Sequence, residues 1–339
     1  MLNAALVTDL HLTDTPRDKY RWELFPWLGK TLRTSLFPIY YLFILGDLTQ
    51  AKDYHSSKLV NKIADAVTTL VQDACLKRIY ILRGNHDGLD PDCPYFRFLR
   101  HLPAVQYVET QWMEDIGRTK ILMLPHTKNP RLEWVYEDFY DADVILMHAT
   151  VEGSVAENGM TLNGVHHGYF RGIRADIYSG DVHVPQTVGK IKYIGAPYPI
   201  HFGDKFVGGA VLLKNGKFHS ELPFNTLHRW MLDIQTPEDL QKVEVQEGDQ
   251  CKIRLALTPA EYLNWKEYKK QVIEWCAKEK VELFGIELAQ EKEPRGKIKE
   301  NLKLAVTLPP EQIIRDHCKQ HRLGPDLQTT GLSLIRGLS

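Results

Sequence analysis

Along most of this chain, short unbroken apolar runs alternate with longer stretches in which apolar residues recur at helical spacing. Residues 2–7 read as a buried strand. Residues 19–35, carrying Trp22, Leu24, Phe25, Trp27, Leu28 and Leu32, read as a helix that starts or kinks at Pro26. Residues 39–45 are apolar throughout, the pattern of a strand covered on both faces. Within residues 55–76, Leu59, Ile63, Val67, Leu70 and Val71 share one face of an amphipathic helix, and residues 78–82 form the next strand. Strand, helix, strand in this order builds α/β folds whose sites gather at the carboxyl edge of the sheet. Further on, 95–102 and 133–140 look helical, and 105–109, 120–124, 143–147, 175–179 and 191–195 strand-like. Residues 209–214 and 217–222 make a hairpin through Asn215-Gly216. Many strands in two sequence halves, with helices between, predict an α/β fold of two stacked β-sheets flanked by helices. A smaller α/β unit follows: strand 251–257, then helix 259–278, then strand 281–288. That helix opens after Thr258, with Pro259 first and Glu261 in its first turn.

The polar residues that end the apolar runs carry the chemistry. Asp9 and His11 close the first run two residues apart, a spacing that in extended chain points both to one face. Gly46-Asp47 closes the second, and a carboxylate at the end of so apolar a strand is costly to desolvate unless a cation receives it. Gly84-Asn85-His86-Asp87 follows the third. There Asn85 offers a neutral oxygen to a hard cation, His86 can meet a phosphate oxygen or leaving group, and Asp87 can fix the His86 tautomer. His148 closes the strand at 143–147, and Asp181 and His183 repeat the alternate spacing after 175–179. Each group alone has a plainer reading, as a turn former, a cap or a hydrogen-bonded core histidine. Together, Asp9, His11, Asp47, Asn85, His148, Asp181 and His183 form a thiolate-free set of donors suited to Mn²⁺, Fe²⁺, Mg²⁺ or Zn²⁺. They exceed what one ion needs, so two divalent metal ions sharing Asp47 is the economical reading, and such a pair stabilises in-line phosphoester cleavage. Residues 152–172, rich in Gly, Asn and His, read as a functional loop over that site, with His166 and His167 either touching substrate or staying at the surface.

Composition narrows the setting. With 43% hydrophobic residues among 339, the chain has material for a real core and length for two domains, or one large domain with an appendage. A formal net charge of -1 provides no global basic field, so nucleic-acid contact would rest on local patches. The 5 cysteines are scattered and never form a C-x-x-C pair, which points away from disulfides and thiolate metal sites and toward a reducing, cytoplasmic setting. The first residues carry no basic leader, and no apolar run reaches membrane-spanning length, so neither a signal peptide nor a membrane anchor is expected.

In their order, Asp9-Leu10-His11, Gly46-Asp47, Gly84-Asn85-His86-Asp87, His148 and Gly180-Asp181-Val182-His183 resemble the signature of the calcineurin-like metallophosphoesterases. The resemblance implies that family's sandwich of two mixed sheets. It implies that Asp9, His11, Asp47 and His183 hold one ion, and Asp47, Asn85, His148 and Asp181 the other. It also makes His86 the group that assists the leaving oxygen, oriented by Asp87. Asp181 stands where the family has the first His of Gly-His-x-His. A third carboxylate beside Asp9 and Asp47 favours hard ions, Mn²⁺ first and Mg²⁺ next, over Zn²⁺.

Within the superfamily the chain is most similar to the nuclease subunit of the SbcCD type, in a compact form such as a bacteriophage would encode. The similarity is carried by 179–186, 193–197 and 202–204, by the small α/β unit, and by 308–334. In that last stretch Ile313, Ile314, Cys318, Leu323, Leu327 and Leu332 resemble the apolar face that docks on the ATPase's coiled coil. The resemblance implies a nuclease domain at 1–225, a capping domain that contacts DNA at 226–308 and a helical tail at 309–339. It further implies DNA as substrate, a coiled-coil SMC-like ABC ATPase as partner, and a homodimer through early helices at 19–35 or 55–76. Arg295, Lys297, Lys299 and Lys303 are candidate phosphate contacts. Nucleases of this type often carry a His three residues after the bridging Asp; here Gln50 stands there, with His55 as a candidate replacement. Two rival readings stay open: a phosphodiesterase or phosphatase acting on nucleotides or phosphoproteins, and a metal-poor scaffold, which Asp181 and Gln50 make thinkable.

Overall fold

The computed structural model describes residues 1–90, 92–258, 261–288, 314–315 and 317–319. Its first strands are β1 (Ala4–Val7), β2 (Tyr41–Ile44), β3 (Arg78–Leu82), β4 (Val105–Val108), β5 (Trp112–Ile116) and β6 (Thr119–Leu124). Then come β7 (Val144–His148), β8 (Asp176–Gly180), β9 (Gln186–Val188), β10 (Ile191–Tyr193), β11 (Gly209–Lys214) and β12 (Lys217–Pro223). They form two six-stranded mixed sheets, ordered β12-β11-β1-β2-β3-β4 and β5-β6-β7-β8-β10-β9. Helices α1 (Leu24–Arg33) and α2 (Ser57–Asp73) cover the first sheet, and the short α3 (Pro130–Glu133) and α4 (Glu137–Asp141) lie on the second sheet's side.

Alternation along β2 shows why its run is apolar throughout. Leu42 and Ile44 pack with Leu28 and Leu32 of α1 and Ile63 and Val67 of α2, while Phe43 joins Leu6, Met123 and Leu146 between the sheets. On the far side, Ile145 and Met147 of β7 pack with Trp134, Phe139 and Phe170. A strand buried on both faces has no position left for a polar side chain. β1 to β4 run parallel, as do β6, β7 and β8, so their carboxyl ends collect along one edge of each sheet.

A third, three-stranded parallel sheet contains β13 (Arg229–Ile234), β14 (Gln250–Leu255) and β15 (Glu282–Leu288). Its crossover helix α5 (Trp265–Lys278) buries Val272 and Cys276 with Ile253 and Leu255. Arg17 ties this sheet to the segment before α1, through an ion pair to Glu282 at 3.1 Å and a guanidinium 4.6 Å above the Phe284 ring.

Several elements differ from the sequence expectation. The stretch expected as one helix at 19–35 divides into a 3₁₀ helix, Pro16–Glu23, and α1, with Pro26 in the first turn, where a missing N–H breaks no bond. Residues 95–102 form a 3₁₀ helix, Tyr95–His101, and the expected helix at 133–140 is broken at Trp134, which turns into the core. α5 opens at Trp265, after a 3₁₀ turn at Glu261–Asn264. Thr258 and Glu261 still cap that turn reciprocally: Glu261 N donates to Thr258 Oγ1 at 3.4 Å, and Thr258 N donates to Glu261 Oε2 at 2.8 Å. Of the expected tail, residues 314–315 and 317–319 are helical and Cys318 is buried. Its other residues, with Pro259, Arg295, Lys297, Lys299 and Lys303, lie outside the described residues.

Candidate metal centre

The site residues sit just beyond the strand ends, in backbone that coils rather than extends. β1 stops at Val7, and Asp9 (φ 53°), His11 (φ 42°), Asp47 (φ 52°) and Asp181 (φ 76°) are all left-handed. Asp9 and His11 therefore converge for a different reason from the strand alternation expected of their spacing. The chain turns back on the neighbouring loop, where Asp9 N donates to Gly46 O at 3.1 Å and His11 N to Asp47 O at 2.9 Å. Left-handed backbone costs a non-glycine residue about 1–2 kcal/mol, so four such residues in one place mark a site the rest of the fold must hold. The glycines before Asp47 and Asn85 permit the close approach. A Cβ on Gly46 would lie 2.3 Å from His148 Nδ1, and one on Gly84 would lie 2.2 Å from Asp47 N.

These turns bring all seven expected donors together. His11 Nε2 lies 3.1 Å from His183 Nε2 and 3.6 Å from Asp47 Oδ2. His148 Nε2 lies 3.4 Å from Asp47 Oδ1 and 3.5 Å from Asp181 Oδ1. The two oxygens of Asp47 thus face opposite halves of the cluster. Ligating atoms of Asp9, His11 and His183 fall within 4.8 Å of one another, as do those of Asp9, Asp47 and His148. Asn85 Nδ2 donates to Asp181 Oδ1 at 3.1 Å, which turns the amide oxygen Oδ1 away as a free acceptor. His148 Nδ1 donates to Leu45 O at 2.5 Å, which leaves Nε2 for the cluster.

The donor set fits divalent cations. Asp9 Oδ2, Asn85 Oδ1 and His148 Nε2 are buried with no hydrogen-bond partner, and a buried polar atom without a partner is costly. Two imidazole nitrogens 3.1 Å apart beside a carboxylate match donors arranged around a shared ion. Without cations, protons on His148 and His183 balance the carboxylates, while burial keeps His11 neutral. Burial would lower His183, but Glu157 and Asp9 bring it up to about 9, and His148 is raised against its burial by Asp47 and Asp181. Burial, with Asp47 and Asp181 adding to it, pushes Asp9 up to about 6. Burial alone would lift Asp47 too, yet His148 and His11 hold it well below the ordinary carboxylate range. Bound cations would take over this balancing charge and be met by neutral imidazoles.

Two expectations about neighbouring residues are overturned. Asp87 does not orient His86. Its Oδ1 accepts from Leu48 N at 2.9 Å and its Oδ2 from Gly84 N at 2.7 Å, so it is a buried brace locking the Asp47 turn to the Asn85 turn. His86 Nδ1 instead lies 2.7 Å from the Gln50 carbonyl oxygen, so position 50 contributes through its backbone. His55 does not replace a histidine there, because its ring packs against Tyr95 and Phe96, with centroids 4.3 and 5.0 Å away. His166 and His167 are exposed and stack on each other at 4.6 Å, outside the cluster. Two contributors escaped the sequence reading. Glu157 Oε1 lies 2.5 Å from His183 Nδ1, and Thr150 Oγ1 donates to Asp181 Oδ2 at 2.6 Å. Glu157 had no signal beyond its place in a long loop.

Buried carboxylates, imidazoles and an amide oxygen, gathered where two stacked sheets share an edge, define a hydrolase that works with divalent cations. The chain belongs to the calcineurin-like phosphoesterase family, whose profile matches residues 2–185, and it is accordingly a metal-dependent phosphoesterase. No curated protein matches the chain. Among solved structures it is similar to a novel archaeal phosphodiesterase, with 13% identity and a TM-score of 0.35 over 66% of this chain and 100% of that one. It is also similar to a protein of unknown function from Aquifex aeolicus, with 16% identity and a TM-score of 0.26 over 46% of this chain and 80% of that one. Among the described residues no helix is long and apolar enough to cross a membrane.

Proposed function

We propose that the protein is a two-metal DNA nuclease of the SbcD type. The observation that carries this reading is Asp47, whose Oδ2 faces His11, next to His183, and whose Oδ1 faces His148, next to Asp181 and Asn85, with Asp9 in reach of both groups. Divalent ions held by these groups, Mn²⁺ or Mg²⁺ ahead of Zn²⁺ given three carboxylates, would supply Lewis-acidic charge to the phosphoryl oxygens and the attacking water. The side chains do the positioning. Leu45 aims His148 and Glu157 aims His183, while Asp87 keeps the two central loops in register. His86 gives its Nδ1–H to the Gln50 carbonyl and, as imidazolium, hands the proton on Nε2 to the leaving oxygen.

In this reading the capping domain at 226–308 contacts DNA and the tail at 309–339 docks on the coiled coil of an SMC-like ABC ATPase. The nuclease works as a homodimer in cytoplasmic DNA end processing. Assays on single- and double-stranded DNA with Mn²⁺ test it: the wild type cleaves, and His86→Ala lowers turnover by about 10²–10⁴-fold while still binding metal. Hydrolysis confined to small phosphodiesters or phosphoproteins would favour a phosphodiesterase or phosphatase, and inactivity on every phosphoester would sink the reading. Co-purification with a coiled-coil ATPase, lost on truncation after Leu308, tests the partner.

A further inference from the structure

Beside the metal centre a cavity of about 720 Å³ opens between the segment after β6 and the loop after β7. Asp181 and Thr150, joined at 2.6 Å, line both the cavity and the centre, so the two spaces are continuous. Lys128, Arg131, Leu132 and Tyr169 are among the residues that line it. Leu132 is 85% exposed, a large apolar side chain left uncovered at the cavity. Tyr169 is held rigid from two directions: its ring stacks on Tyr136 at 5.1 Å, and its hydroxyl accepts from Arg131 Nε at 2.6 Å. Lys128 and Arg131 make no carboxylate ion pair among the described residues, in a chain whose net charge is only -1.

A flat aromatic, an uncovered apolar side chain and two unneutralised cations beside a phosphoester-cleaving centre match one chemical object, a planar base attached to a phosphate. We propose that this cavity is a nucleotide subsite. Resting on the reading of the centre as a nucleic-acid phosphodiesterase, it takes the unpaired nucleotide next to the scissile phosphate. The base lies against Tyr169 and Leu132, and the neighbouring phosphate meets Lys128 and Arg131. Stacking on an aromatic ring tolerates any base, as a processing nuclease requires. The volume is that of a small-molecule site, room for one unpaired nucleotide, so frayed or single-stranded ends should be cleaved ahead of blunt ones.

The test uses the full chain with Mn²⁺. For Tyr169→Ala and for Lys128→Ala/Arg131→Ala, the KM for a single-stranded oligonucleotide rises about tenfold relative to that for bis(4-nitrophenyl) phosphate, which has no neighbouring nucleotide. In metal-free protein, saturation-transfer NMR detects thymidine 5′-monophosphate bound to the wild type and to Tyr169→Phe, which keeps the ring, but not to Tyr169→Ala. An unmoved KM ratio, or mononucleotide binding indifferent to Tyr169→Ala, overturns the subsite. A wild type that hydrolyses neither substrate but binds the mononucleotide through Tyr169 overturns the nuclease reading and leaves the nucleotide site standing, so the two failures are distinguishable.

Discussion

Asp249, where β14 begins, and Asp9, just past β1, are both buried, but their oxygens are used differently. Asp249 accepts from His228 N at 2.7 Å, Trp230 Nε1 at 2.7 Å and Gln246 N at 3.0 Å, and so closes the corner of the three-stranded sheet. Asp9 receives one long contact, from Asp181 N at 3.3 Å, and its Oδ2 has no partner. A buried carboxylate whose bonds are all made is architecture. One with an oxygen left open destabilises its surroundings until a cation arrives, and it marks where chemistry happens. Asp87 belongs with Asp249 in this contrast, although it stands inside the family motif.

The contrast can be broken most directly at Asp47. Asp47→Asn should lower phosphoesterase turnover by about 10³-fold, the several kcal/mol that a carboxylate at the centre of a metal site contributes, and should abolish calorimetric binding of divalent metal. Asp249→Asn should leave turnover alone, and a comparable loss there would erase the distinction. Stability should show the reverse order. Asp249→Ala removes three hydrogen bonds and should cost about 3 kcal/mol in urea unfolding, at about 1 kcal/mol per bond.

The pH dependence of the metal-free protein sharpens the same point. Burial lifts Asp9 from 3.8 to about 6, and burial with Asp47 lifts Asp87 to about 7, so in the fold both keep protons that the unfolded chain releases. Their contribution to stability is full below about pH 4 and is lost as pH rises through 6 and 7. His183, raised from 6.5 to about 9, adds a contribution present below 6.5 and lost as pH rises through 9. Burial holds His11 and His126 below 6.5, and these two work in the opposite direction until they are neutral in both states. Melting of the metal-free protein should therefore fall from about pH 6.5 to pH 9, and the gain on adding Mn²⁺ should widen over the same range. A gain that shrinks with pH would mean the open oxygens are not where cations bind. The smallest effect belongs to the third sheet: Thr258→Ala, which removes the reciprocal cap with Glu261, should cost about 1 kcal/mol and leave metal binding unchanged.

How much was legible depends on what kind of information each element carries. Central strands such as β2 and β7 are readable because burial on both faces forbids polar residues. β5, β9 and β13 escaped the reading. β5 is an edge strand that carries Glu114 and Asp115 half in solvent, and β9 is three residues long and partly exposed. The gathering of Asp9, His11, Asp47, Asn85, His148, Asp181 and His183 in one place was legible because few residue types can serve as metal donors, and a run of them at successive strand ends is hard to explain otherwise. The link between Asp87 and His86 was misread because adjacency in a tight turn says nothing about direction: Asp87 points back into its own loop while His86 points out toward Gln50.

By itself, then, the sequence determined the layered α/β plan and which polar residues gather beyond the strand ends, since burial and coordination chemistry act on residue type and spacing. Only the tertiary structure decided which carboxylates are braces and which are left open, that Glu157 reaches His183, and that a cavity walled by Lys128, Arg131 and Tyr169 adjoins the centre. Those outcomes depend on left-handed turns and on contacts between residues far apart in the chain, whose directions are set when the sheets pack and not by any local pattern.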